Sequence, residues 1–147
     1  MADDLHTTAR AMRQQLLGKD FAAKLDKKVY TDPMMDKFAE VARQIAFGTV
    51  WTRPGLDLKT RTMITLVSDA TNGRHDELEL HVRMARNQGW TEDEITEALL
   101  HLAAYVGLPL CREAMLCAKG VFEEMRKEAK PARRATAKRA AGRRKGS

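Results

Sequence analysis

The sequence predicts an all-α domain of about six helices, and three observations carry that prediction. No run of alternating β-branched residues bounded by turn signals occurs. Apolar residues recur at helical spacing, and Asp or Thr caps and Gly stops divide the chain at regular intervals. The 147 residues, 44% apolar and 31% charged, have the balance of one domain of ordinary size.

A first helix is expected near Leu5–Leu17, stopped by Gly18, and a short second one over Asp20–Lys28. Asp32 before Pro33 reads as an N-cap with proline at the first helical position, opening a third helix that ends at Gly48. A loop over Thr49–Leu56 follows, its turn marked by Pro54-Gly55. Asp57 then caps a helix with Met63, Ile64, Leu66, Val67 and Ala70 as apolar positions, terminated by Asn72-Gly73. The next runs from about His75 to Gln88, with Gly89 as its stop. Thr91 and Glu94 form a capping box, in which each side chain satisfies a free backbone donor of the other residue. The helix it opens carries Ile95, Leu99, Leu102 and Val106 on one face. Gly107 ends it, and Pro109 opens the last, through Ala114, Leu116, Val121, Phe122 and Met125. Short helices over so few residues make a thin bundle that gains from burying surface between subunits, so a homo-oligomer is expected.

The net charge of +6 is unevenly distributed: Arg126–Ser147 carries +9 and the rest of the chain −3. From Lys130 onward there is no Leu, Ile, Val, Met or aromatic residue, so nothing there offsets the entropy of ordering. The expected division is a helical domain over 1–129 and a disordered basic tail over 130–147. Two readings of the tail stand open: weak contact with nucleic acid or another polyanion, or a solvated extension that aids solubility. No stretch approaches the ~18 apolar residues of a membrane span, and Met1–Arg13 lacks the apolar segment of a secretory signal. A cytoplasmic protein without membrane contact is expected. Cys111 and Cys117 are six apart, which excludes a C-x-x-C redox pair and a zinc knuckle and leaves them as reduced packing residues.

The most informative constellation follows Gly73. With Arg74 at zero, 100° per residue puts His81 at about −20°, Glu77 at about −60°, Leu78 at about +40° and Ala85 at about +20°. A cation, an anion and an imidazole thus share the apolar stripe, where an unpaired charge is expensive. Either Arg74, Glu77 and His81 form a structural network, or they are a small-molecule site. In that site Arg74 binds a carboxylate, Glu77 orients or charges His81, and His81 moves a proton. Glu77 and His81 lie one turn apart, but no second ligand pair completes a metal shell, so no metal is expected.

Glu97, His101 and Tyr105 form a second polar line, an exposed edge unless the two helices pair and His101 reaches the pocket of His81. Asp76, Glu79 and Arg83 read as the solvated face of the His81 helix, and His6 and His75 as surface residues. Arg53 and Arg61 are further cationic candidates. Trp51 lines a pocket or fills a subunit interface, the interface being the preferred reading. With no phosphate-cradling loop, dinucleotide fingerprint or nucleophile elbow, no cofactor is indicated.

Two segments, W-x-R-P-G-L-D at Trp51–Asp57 and R-x-x-E-L-x-x-H at Arg74–His81, join Thr91-Glu92-Asp93-Glu94-Ile95, Leu100-His101 and Tyr105-Val106-Gly107-Leu108-Pro109 in one pattern. Over roughly residues 10–125 the chain resembles the carboxymuconolactone decarboxylase family. The resemblance implies an alkylhydroperoxidase D-like helical fold assembled as a trimer or hexamer. It also implies cofactor-free loss of carbon dioxide from 4-carboxymuconolactone, giving the enol-lactone of 3-oxoadipate in protocatechuate (β-ketoadipate) catabolism. The peroxidase relatives carry C-x-x-C-x-x-x-H on the site helix, and Arg74 and Glu77 stand here at the cysteine positions, with His81 at the histidine position. The implied catalytic residues are His81, Glu77 and His101, with Arg74, Arg53, Trp51 and Tyr105 binding the lactone dicarboxylate. The chain departs from the pattern at Leu110–Met115, where small residues and Asn are expected after the Gly-x-Pro turn. Two alternatives from other classes are an alkylhydroperoxidase-like antioxidant protein and a non-enzymatic oligomer that binds polyanions through its tails.

Overall fold

The computed structural model describes the backbone of residues 2–144 and the side chains of residues 4–129. Of the tail over 130–147, expected to be disordered, the side chains lie outside the described residues, while the backbone to residue 144 is part of the last helix. Among the described residues seven α-helices and one π-helical segment follow in order: α1 (Ala2–Leu17), α2 (Lys19–Val29), α3 (Pro33–Ala42), the π segment (Arg43–Val50), α4 (Leu58–Thr71), α5 (His75–Asn87), α6 (Glu92–Val106) and α7 (Leu108–Arg144). Among the described residues no helix is long and apolar enough to cross a membrane.

The punctuation works as the local chemistry requires. The Asp32 carboxylate accepts from the N–H groups of Met34 and Met35, with Pro33 at the first helical position. Asp57 accepts from the N–H of Thr60. At α6 the Thr91 hydroxyl accepts from the Glu94 N–H, while the Glu94 carboxylate accepts from the Thr91 N–H. Hydrogen bonds from the Thr91 backbone, then its hydroxyl, hold the exposed Glu94 carboxyl below the usual glutamate range. A carboxylate whose folded pKa is depressed contributes stability above its unfolded value of about 4.3, and the contribution disappears as pH falls through the folded value. Thermal melts should therefore separate the parent from Glu94→Gln at pH 7 and bring the two together in strong acid.

One boundary differs from expectation. The third helix does not stop at Gly48 but widens at Arg43 into π geometry and continues to Val50. Gly48 is buried against α1, and a Cβ there would stand 2.8 Å from Leu5 Cδ1, so glycine serves close helix approach here rather than termination. The seven segments delimited in the sequence are each found as a helix, and the all-α fold is as expected.

Two apolar clusters make the core. Leu66, Leu78, Val82, Ile95, Leu99 and Phe122 knit α4, α5, α6 and α7 together. A smaller cluster, of Leu16, Leu17, Ala22, Trp51 and Met84, joins α1 and α2 to the loop after the π segment and to α5. Helix α5 serves both, Leu78 and Val82 turning to one cluster and Met84 to the other. Beside the smaller cluster Asp26 bridges Arg13 at 2.9 Å and Arg43 at 3.3 Å.

Candidate active site

The site begins at the turn between α4 and α5. Gly73 adopts φ +64°, a left-handed conformation open to glycine, and the Arg74 N–H donates to the Asp69 carbonyl at 3.0 Å. This brings the last turn of α4 alongside α5, and the Asp69 side chain meets His81. Nδ1 of His81 lies 2.5 Å from Asp69 Oδ2, with side chains 12% and 7% exposed respectively. An ionised carboxylate only accepts, so Nδ1 carries the hydrogen and Nε2 is the nitrogen left for chemistry.

The second wall of the imidazole is Trp51. Its ring lies parallel to His81, with centroids 6.5 Å apart and planes 4° from coincidence, and Phe47 stacks on Trp51 at 6.2 Å. Trp51 is buried within the chain itself rather than turned outward to a subunit interface. The loop that delivers it is pinned by Arg61, whose Nη2 donates to the Arg53 carbonyl at 2.7 Å and whose Nε donates to the Leu56 carbonyl at 3.2 Å. The guanidinium of Arg61 is thus engaged with backbone.

The stripe shared by Arg74, Glu77 and His81 is buried only at its His81 end. Arg74 and Glu77 are exposed, since the first turn of α5 projects past the packed core, and they line a depression of about 450 Å³ with Gly73, His75 and Asp76. The carboxylate that holds His81 is Asp69, not Glu77. Sequence reasoning passed over Asp69, which lies about 60° beyond Leu66, at the edge of the apolar stripe of α4 rather than within it. Arg53 is exposed. His101 is exposed and packs its ring on Tyr105, centroids 5.2 Å apart, and Tyr105 is 74% exposed. The structure pairs these two with each other on the outer side of α6 and does not pair them with His81.

Arg83, read as part of a solvated face, is instead buried. Its guanidinium stands 4.1 Å over the Phe21 ring and pairs with Glu128 at 2.8 Å and Glu124 at 3.5 Å, so it ties α2 and α7 to α5. His75 pairs with Glu113 at 3.6 Å.

Both cysteines are free thiols. Cys111 is buried and donates to the Leu99 carbonyl at 3.3 Å. Burial, reinforced by Glu79 and Asp76, pushes the Cys117 thiol up to about 11, far from the low pKa that marks reactive cysteines. Iodoacetamide is therefore expected to label the folded protein slowly at pH 7, with a Cys117 rate that keeps rising towards pH 11. Rapid stoichiometric labelling at pH 7 would contradict this environment. Among the described residues no cluster of three or more His, Cys, Asp or Glu side chains is arranged to hold a metal ion.

Residues 36–120 match the model of the carboxymuconolactone decarboxylase family. The chain is 41% identical over 88 residues to the 4-carboxymuconolactone decarboxylase of Acinetobacter baylyi, covering 60% of this chain and 66% of that protein. It is 39% identical over 114 residues to the nitrosuccinic acid decarboxylase npaB of Metarhizium robertsii, covering 78% of each chain. An uncharacterized 15.0 kDa protein of Paracoccus denitrificans is 34% identical over 80 residues, covering 53% of this chain and 60% of that one. The matched span runs from α3 into α7 and contains Trp51, Asp69, Arg74 and His81. The chain belongs to the carboxymuconolactone decarboxylase family.

Proposed function

We propose that this protein is a cofactor-free decarboxylase of a small dicarboxylic acid whose departing carboxylate sits on a saturated carbon next to an electron-accepting π system, 4-carboxymuconolactone being the first candidate. The observation that carries the reading is the His81–Asp69 pair under Trp51: an imidazole fixed in one tautomer, with a low-dielectric wall beside it and Nε2 unengaged by the carboxylate. The names of two similar proteins support the reaction class. Their substrates share one logic. In 4-carboxymuconolactone the electrons of the breaking carbon–carboxylate bond pass through a double bond into the lactone carbonyl; in nitrosuccinic acid they pass into the nitro group.

The substrate therefore supplies its own electron sink. What the protein must add is a hold on the negative charges, stabilisation of the developing oxyanion, and one proton delivered to carbon. We assign Arg74 to a substrate carboxylate, since its planar fork suits bidentate binding and it stands at the N-terminus of α5, whose free N–H groups attract anions. His81 delivers the proton from Nε2 and Asp69 holds its orientation. Glu77, which lines the same depression as Arg74, and Arg53 are outer contacts to substrate, whereas His101 and Tyr105, on the outer side of α6, are assigned no part in the reaction. The homo-oligomer, the cytoplasmic setting in aromatic catabolism and a weak polyanion contact through the basic tail complete the proposal.

Purified protein should release carbon dioxide from 4-carboxymuconolactone, with nitrosuccinate assayed in parallel. Arg74→Gln is expected to raise KM about tenfold or more at modest cost to kcat, the signature of lost uniform binding. Absence of release from either acid by folded protein would defeat the proposal. Consumption of hydroperoxide with a thiol reductant, against the raised thiol pKa of Cys117, would replace it with the antioxidant reading.

A further inference from the structure

A polar cavity of about 400 Å³ opens between α1, α2, α3 and the start of the π segment. It shares no lining residue with the depression at Arg74, and neither His81 nor Trp51 reaches it. Its walls carry Arg10 and Arg13 from α1, Lys19 from α2 and Arg43 from the π segment, against two carboxylates, Asp26 and Asp36. Glu40 stands off at the rim, 3.9 Å from His6.

Positive charge is in surplus here, and it is in surplus where solvent is scarce. The Arg13 side chain is 8% exposed. Its Nη1 donates to Asp26 Oδ2 at 3.2 Å, while its Nη2 is buried without a hydrogen bond. Asp26 Oδ1 lies 2.9 Å from that nitrogen but accepts its hydrogen bond from Arg43 Nη2, at 3.3 Å. One carboxylate thus answers two guanidiniums. Asp36, Arg10 and Lys19 are exposed and form no ion pair among the described residues. A partly buried cation with half a counter-charge is costly, and cations gathered around one concavity raise its potential together.

We infer that this cavity binds a small organic polyanion, one that presents clustered anionic oxygens as a phosphate ester or a polycarboxylate does. Guanidiniums suit such a ligand because their planar forks take oxyanions in pairs. Arg43 is already aimed, held between Asp26 and the Tyr30 ring, whose centroid lies 5.5 Å from its Cζ. Arg10 and Lys19 close on the ligand from the rim, and Arg13 contributes through its field from behind. The volume falls at the lower end of the range that holds small organic ligands. Arg43 also opens the π segment whose far end carries Trp51, so an occupant fixes the near end of that segment. The site stands independently of the proposed reaction.

The test is calorimetric titration of the full chain with pyrophosphate and, separately, with citrate, at an ionic strength held constant with sodium chloride. Saturable binding is expected, and at about a hundredfold excess over Kd the melting midpoint should rise by about 5–10 °C. Arg10→Gln with Lys19→Gln changes two exposed side chains, so the fold should persist by circular dichroism while binding weakens about tenfold or more. Arg43→Gln should weaken it likewise, and Arg74→Gln should leave it intact. The basic tail is the same in every variant, so the difference reads the cavity and not Arg126–Ser147. No turnover is involved, which keeps the outcome separate from that of the decarboxylase assay. Tighter binding of pyrophosphate would assign the ligand to phosphate esters, and tighter binding of citrate to polycarboxylates; either supports the site. No saturable binding by folded parent, equal affinity in the parent and the double variant, or a loss confined to Arg74→Gln would each overturn the inference.

Discussion

His81→Ala is expected to lower kcat for decarboxylation by about 10²–10⁴, the usual contribution of a positioned proton donor, with a much smaller change in KM. The substitution also leaves the Asp69 carboxylate buried without its partner, a cost of about 1–3 kcal/mol, so turnover must be compared with a melting curve on the same sample. Asp69→Asn supplies the discriminating arm. It retains shape and burial but no longer demands a hydrogen on Nδ1. If Asp69 acts by fixing the imidazole, Asp69→Asn reduces kcat more than KM, and the double variant His81→Ala/Asp69→Asn is no slower than His81→Ala alone. Additive losses in the double variant would mean that Asp69 acts on the substrate directly, and near-normal turnover by folded His81→Ala would remove His81 from the chemistry.

The second large effect is on stability. Trp51→Ala empties a site that α1, α2, α5 and the π segment share, and truncation of a buried aromatic of this size costs about 3–5 kcal/mol. For a chain of this length the midpoint of thermal unfolding falls by about 2–4 °C per kcal/mol, so a drop on the order of 10 °C is expected by calorimetry. Trp51→Phe keeps an apolar ring beside His81 and should recover more than half of that loss. A melting point unchanged in Trp51→Ala would show that the indole packs too loosely to form the wall ascribed to it.

The helical frame was legible because its signals are local. Asp32-Pro33, Asp57, Thr91 with Glu94, and the glycines at 18, 73, 89 and 107 act on backbone groups within four residues of themselves. The site was legible only in part. His81 could be found because it interrupts an apolar stripe, but its partner comes from α4, twelve residues earlier, and the turn at Gly73 decides whether Asp69 or Glu77 arrives there. Glu77 at i−4 was the nearer acid in sequence. It remains outside because burial, which periodicity cannot see, ends before the first turn of α5. Arg83 failed in the opposite direction: its aliphatic stem and guanidinium gain Phe21 and two glutamates from elements 41 to 62 residues away, contacts for which no spacing rule exists. Trp51 was read as facing a subunit interface and is instead buried within the chain, because the helix before it widens at Arg43 and runs on past the glycine that suggested its end.

The widening of the helix at Arg43 also decides where the indole of Trp51 emerges. In the π segment the Trp51 N–H reaches back five residues to the Ala46 carbonyl at 2.9 Å, where an α-helix would reach back four. Each residue of such a segment advances less around the axis, so the direction in which the indole emerges is set by how many residues precede it in the wide turns, not by what those residues are. Apart from Phe47, which stacks on the indole, and Gly48, which α1 approaches closely, side-chain exchanges between Arg43 and Val50 can leave the aromatic wall in place, whereas loss of a single residue would tighten the coil into ordinary α geometry and swing the ring off His81. Chain length through this stretch, together with Phe47 and Gly48, is what the candidate site holds fixed.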